Sequence, residues 1–195
     1  MAGRVKASAR KITSGSVLAA MLAPSWGVYS GFELGENVPL VPGSEEYLDS
    51  EKYAYRPRDW ERARQLGTTI GPFLGRLNAI RRAHPALHQL RNVRFHYPDQ
   101  PEILCFSKTL PQNSPAGPSP DTVIVVVNLD PNQPREATIW LDGAALGLDA
   151  GQLSAGFPVT DELTGAQYRW GQANYVRLDP AVAPAHIFTV SIAPA

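Results

Sequence analysis

Thiols are almost absent from this sequence: Cys105 is its one cysteine. An internal disulfide is thereby excluded, and Cys105, set in a strand-like run, reads as a small buried apolar residue. A reducing, cytoplasmic setting is the expectation that follows. Net charge is absent too, at +0, so no global field recruits nucleic acid or an anionic membrane. Acids are missing from the first 32 residues, where Arg4, Lys6, Arg10 and Lys11 are basic. The apolar run Val17–Ala23 follows them and imitates a secretory signal. It is far too short to span a bilayer and better suits a helix that buries one face. Also missing are a phosphate-binding P-loop, a G-x-G-x-x-G turn, a G-x-S-x-G elbow, zinc-ligand spacing and internal repeats. No cofactor and no metal are expected.

What is present is an unusual stretch, Gly43–Asp59, GSEEYLDSEKYAYRPRD. It holds five acids, three bases and three tyrosines. Without a sustained apolar period it reads as a long ordered loop, and such loops are uncommon in compact domains unless functional. Aromatic rings among hydrogen-bonding side chains suit a sugar, whose C–H face packs on a ring while its hydroxyls meet polar tips. The competing reading is a solvated charged loop held by its own ion pairs.

Around that loop, Ser16–Ala23 reads as a helix end stopped by Pro24, and Trp26–Ser30 as a strand candidate. Glu33 then falls in a loop at the strand's end, the place where a β/α barrel presents functional residues. A structural carboxylate bonded to loop amides is the favoured reading for it. Asp59–Gln65 has helical composition with Asp59 as N-cap. Pro72 opens the clearest helix, with Phe73, Leu77 and Ile80 on one stripe, Leu74 and His84 at its edge, and Arg76, Arg81 and Arg82 largely off it. His84 and His88 are four apart, but Pro85 between them spoils a regular helix, so helix-end hydrogen bonding is expected rather than a metal.

From Asn92 the apolar period changes to two. Strands are expected at Val93–Tyr97, Ile103–Leu110, Thr122–Leu129, Ala137–Leu141, Gln167–Trp170, Tyr175–Leu178 and His186–Val190, with turn-rich pieces between them. The run VIVVV should be a central strand covered on both faces. Trp140 and Trp170 could be sugar platforms but more simply pack in a sheet face. The division falls near Leu90–Val93, giving parts 1–91 and 92–195. The first is too small for a barrel, so its apolar stripes need cover from elsewhere, as in the tail of a larger protein.

Four stretches then carry a resemblance: AAMLAPSWGVYSGFELGENVPLVPGSEEYLDSEKYAYRPRDW, FLGRLNAIRRAHPALHQLRNVRFH, VTDELTGAQYRWGQANYVRLDP and the terminal AHIF. They resemble the bacterial maltose-1-phosphate maltosyltransferases of the α-amylase superfamily, from about residue 16 to the end. The resemblance implies an α+β fragment: the last strand and helices of a (β/α)8 barrel, followed by an antiparallel all-β sandwich. It also implies retaining transfer of a maltosyl unit from α-maltose 1-phosphate to the non-reducing end of an α-1,4-glucan. A nucleophilic and an acid/base carboxylate would carry that chemistry. In the family both lie upstream of WGVYSGFEL, so no catalytic residue is assigned here.

Lys52 and Tyr53, in SEKY, match the Lys–Tyr pair with which the family binds the donor sugar. Glu33, Glu45, Glu46, Asp49 and Arg56 are supporting candidates, and Tyr47 and Tyr55 could brace the loop or the acceptor groove. The implied partners are the upstream catalytic half and, in the full enzyme, a second copy as a homodimer. Competing readings are a non-catalytic glucan-binding or scaffold β-sandwich, and a remnant with no role of its own.

Overall fold

The structure is a computed structural model. It describes residues 2–44, 46, 48, 57–117 and 119–191, the first ten of these by backbone alone. Three α-helices precede the strands: α1 (Ala2–Leu22), α2 (Trp60–Gln65) and α3 (Gly71–Ala83). The strands are β1 (Val93–Pro98), β2 (Ile103–Leu110), β3 (Asp121–Asn128), β4 (Arg135–Trp140), β5 (Phe157–Asp161), β6 (Gln167–Trp170), β7 (Ala173–Leu178) and β8 (Ala185–Val190). A short helix, α4 (Ala150–Ala155), lies between β4 and β5. No described helix is long and apolar enough to cross a membrane.

All eight strands form one antiparallel sheet in the order β6-β5-β8-β3-β2-β1-β4-β7. The hinge of this sheet is β1. Its residues Val93–His96 pair with β2, whereas Tyr97 and Pro98 pair with β4. The sheet curls there, so β4 and β7 fold over β2 and β3 and close on a shared interior. That interior holds Cys105, Ile124, Val126, Ile139, Leu178 and Phe188, among others. The curl ends where it nearly closes. Edge strands β6 and β7 are joined by Gly171 and Gln172 alone. Asn174 braces this corner by accepting from the Gly171 amide and donating to the Gly171 carbonyl, both at 2.8 Å.

Strand β3 is central and covered on both faces, as the VIVVV run predicted. Ile124 and Val126 face the interior, while Val123, Val125 and Val127 face outward under α1 and α3. Each such side chain contributes ~1.5–3 kcal/mol by leaving water, so this strand ties two cores together. The outward core is completed by Val17, Ala20 and Met21 from α1 and Leu77 and Ile80 from α3.

Two expectations are corrected. The last strand and helices of a (β/α)8 barrel are not found among the described residues. Residues 26–30, expected as a strand, take no regular structure and pair with no strand of the sheet. Trp26 instead donates its indole N–H to Asn78 Oδ1 at 3.1 Å. The two-sheet sandwich is likewise replaced by one nearly closed sheet, since β1 belongs to both halves. The molecule is mostly all-β with α1 and α3 on one outer face, not an α+β barrel fragment.

Arg81, placed off the apolar stripe by its spacing, is also buried. Its guanidinium donates to the carbonyls of Ala20, Ala23 and Pro24, at and just beyond the end of α1. Lys108 of β2, with no exposed side-chain surface, reaches the same end and donates to the Leu22 carbonyl at 3.1 Å and the Leu87 carbonyl at 3.3 Å. The last carbonyls of a helix lack internal partners and carry its negative pole, so two cations there are favourable.

Burial, with the neighbouring Arg81 charge, pulls the Lys108 ammonium down to about 8. Between that value and the ordinary lysine range the folded chain sheds a proton that the unfolded chain keeps. The unfolded state then binds more protons, so this residue's contribution to stability rises with pH through the window. In urea titrations at pH 7 and pH 9.5, the wild type should therefore gain stability relative to Lys108→Met. Equal changes in both chains would refute the linkage.

Candidate functional site

The loop singled out in the sequence is tied at its base by two pairs of side chains. Asp59 caps α2 by accepting from the Arg62 amide at 2.8 Å, which places Trp60 at the first helical position. The Trp60 indole donates to Glu33 Oε1 at 2.5 Å, and Glu33 Oε2 accepts from the Gly31 amide at 3.1 Å. The Glu33 carbonyl accepts from Thr69 and Ile70. With both carboxylate oxygens engaged by the loop, Glu33 is the structural carboxylate favoured from sequence.

The second tie is a forked pair. Arg58 Nε and Nη2 donate to Glu36 Oε1 and Oε2, each at 2.9 Å. The planar fork matches the carboxylate, and the hydrogen bond to Glu36 holds the guanidinium above its ordinary pKa. Gly31 sits against this pair with φ 97°, and a Cβ there would lie 2.2 Å from Glu36 Oε2. Only glycine satisfies both the backbone angle and the space. Further along, Leu48 donates to the Val38 carbonyl and Leu40 to the Glu46 carbonyl, both at 2.7 Å, bringing residues 38–40 beside 46–48.

Lys52 and Tyr53 lie outside the described residues, as do Glu45, Tyr47, Asp49, Tyr55 and Arg56. The structure thus gives the anchor of the loop that carries the pair. Sequence reasoning missed the Glu36–Arg58 tie, because 22 residues of unperiodic chain separate its members and no local spacing signals it.

Beside the anchor, α1 and residues 26–32 enclose an apolar groove of about 450 Å³, lined by Ile12, Ala19, Trp26, Val28, Tyr29 and Phe32 among others. Tyr29, Val38, Leu40, Val41 and Leu48 are all more than 40 % exposed. That is a large concentration of open apolar side chains for one segment.

The remaining candidates resolve individually. His84 ends α3 with Nδ1 at 2.8 Å from Asp121 Oδ1 and Nε2 at 3.2 Å from Thr189 Oγ1, while Asp121 Oδ2 accepts from the Ala86 amide. The ring thus reaches across to β3 and β8 rather than bonding the carbonyls of its own helix end, the pattern expected from sequence; His88 lies in the following short turn. No group of three or more potential metal ligands occurs among the described residues. Cys105 is fully buried, and burial pushes its thiol well above the ordinary range. Trp170 is a core residue with its ring 4.5 Å from that of Phe188. Trp140 is 40 % exposed on the outer face.

Comparison with known proteins is consistent across the chain. The family described as GLGE, C-terminal, matches residues 95–190. Alpha-1,4-glucan:maltose-1-phosphate maltosyltransferase 2 of Streptomyces coelicolor is 57% identical over 175 residues, 90% of this chain and 24% of the relative. The maltosyltransferase of Mycolicibacterium smegmatis is 50% identical over 179 residues, 92% of this chain and 24% of the relative. That of Corynebacterium glutamicum is 51% identical over 180 residues, 92% of this chain and 25% of the relative. The chain therefore spans about a quarter of the length of the curated relatives it matches. It belongs to the maltose-1-phosphate maltosyltransferase family, corresponding to the C-terminal part of its members.

Proposed function

We propose that this chain serves as the C-terminal part of an α-1,4-glucan:maltose-1-phosphate maltosyltransferase. The observation that carries the reading is the 57% identity over 90% of the chain to an enzyme of that name. In this reading residues 1–91 go with the catalytic portion that precedes them in the relatives, and 92–195 form the C-terminal unit. Lys52 and Tyr53 hold the maltosyl part of the donor, the ammonium donating to sugar hydroxyls and the tyrosine adding a ring or phenol contact. The ties Glu33–Trp60 and Glu36–Arg58 fix the loop that presents them. The open apolar groove beside α1 and the exposed side chains from Tyr29 to Leu48 support a covering partner there. The complete enzyme acts as a cytoplasmic homodimer.

Retaining transfer needs two carboxylates about 5 Å apart, and the family places both upstream of this chain. The chain alone should therefore release no phosphate from α-maltose 1-phosphate with glycogen as acceptor. Co-expressed with a polypeptide matching the preceding three quarters of the relatives, it should release phosphate and extend the glucan. In that mixture Lys52→Ala should raise KM for the donor about tenfold or more, the loss of a charge-assisted hydrogen bond. Turnover by the isolated chain, or a folded mixture without turnover, would overturn the proposal.

A further inference from the structure

The outer face of the sheet is divided. Across β8, β3 and β2 it lies under α1 and α3. Across β1, β4 and β7 it is open, and rings stand on it. Tyr97 and Trp140 are direct cross-strand partners, with centroids 5.7 Å apart and planes tilted by 44°. Trp140 pairs in turn with Ala173, so Tyr175 lies on the diagonal within reach of the same surface. Tyr97, Tyr175 and Trp140 are 67 %, 63 % and 40 % exposed. At the far side Arg177 Nε meets Glu136 Oε1 at 3.1 Å across the β4–β7 pair, on the same face as Tyr175.

Three adjacent rings on an open face, bordered by an exposed ion pair, mark recognition rather than folding. Their extent selects the occupant. Phe95, two residues before Tyr97 on the same face of β1, is a further ring at 61 % exposure, and together the four rings offer roughly 500 Å², still short of the ~800 Å² per partner that a stable protein interface buries. A sugar needs far less: C–H faces pack on rings, and hydroxyls donate to a carboxylate and accept from guanidinium and phenol. The tilt of Trp140 against Tyr97 makes a bent platform, which suits the curved α-1,4-linked chain rather than a flat β-linked ribbon.

We infer that Tyr97, Trp140 and Tyr175 form a surface site for an α-1,4-glucan, with Glu136 and Arg177 binding its hydroxyls. The choice of the α linkage rests in part on the maltosyltransferase reading; the platform itself does not.

The test is electrophoresis of the 195-residue chain through gels containing glycogen, with calorimetric titration of maltoheptaose and cellohexaose. Glycogen should retard the chain, and maltoheptaose should bind in preference to cellohexaose. Trp140→Ala and Tyr97→Ala should each weaken binding at least tenfold while thermal unfolding stays a single cooperative transition well above the assay temperature. Tyr175→Ser supplies a third variant should either fail to fold. No retardation, retardation unaffected by the variants, or equal binding of cellohexaose would overturn the site. Self-association abolished by Trp140→Ala would overturn it in favour of a second copy. Neither donor nor catalytic partner enters this assay, so its failure leaves the phosphate-release test standing, and the reverse.

Discussion

Asp161→Ala should lose on the order of 4 kcal/mol of stability, read as a large drop in the urea midpoint. Asp161 has no exposed surface, yet it is ionised and fully engaged. Its Oδ1 accepts from the amides of Leu163 and Ile187, and Oδ2 from Thr164 Oγ1 at 2.7 Å and His186 Nδ1 at 3.0 Å. Its carbonyl accepts from the Gly165 amide to close the β5–β6 turn. Truncation leaves four donors without their acceptor, each costing about 1–3 kcal/mol where water cannot reach. Against a typical total of about 5–15 kcal/mol, that is a large share.

Burial alone would push the Asp161 carboxyl up. The bonds from His186, Thr164 and the Leu163 amide outweigh it and hold the group below the usual range. A depressed folded pKa gives stability that is present above the unfolded value, ~3.9, and lost as pH falls through the folded one. Wild type should therefore weaken on acidification below pH about 4 more steeply than Asp161→Asn. A mild effect of the alanine, or parallel acid profiles, would show that the network is not fastening the turn.

Arg81→Ala should release α1, at a cost on the order of 3 kcal/mol. Hydrogen bonds to charged groups contribute about 1.5–3 kcal/mol each, and Arg81 makes three to the end of that helix. Arg81→Lys should recover little, because one ammonium cannot reproduce the fork. Hydrogen exchange along residues 12–22 is the discriminating measurement. Loss of protection there, with β3 still protected, is expected. If α1 stays protected in Arg81→Ala, the apolar contacts of Val17, Ala20 and Met21 hold it without the cap.

The β part was largely legible because period-two patterning is a local signal. Seven of the eight strands lie where alternation put them, and β3 is doubly covered as its apolar run demanded. β5 escaped because FPVTD is short and contains proline. In the sheet Pro158 falls one residue outside the β5–β8 register, so the donor it lacks leaves no gap in that ladder. The curl at β1 was not legible, since it depends on which strand each half of β1 pairs with. Arg81 was misread because its charge suggested solvent, although its place four residues after Leu77 sets it on the buried face; what accepts that charge there is the end of another helix. Of the loop site, residue types and the Asp59 cap could be read locally. The ties between Glu33 and Trp60 and between Glu36 and Arg58 are long-range and needed the fold. The open rings on β1, β4 and β7 were half visible: Trp140 was noticed, but its company was not.

The two-residue corner between β6 and β7 has a consequence for colloidal behaviour. An antiparallel sheet ordinarily ends in two strands whose outer amides and carbonyls can template another chain. Here those two strands follow one another directly, so both unpaired borders converge on Gly171 and Gln172. An incoming strand would have to wedge into a gap already bridged by covalent chain. At that end of the sheet a further strand docking on either border meets this turn.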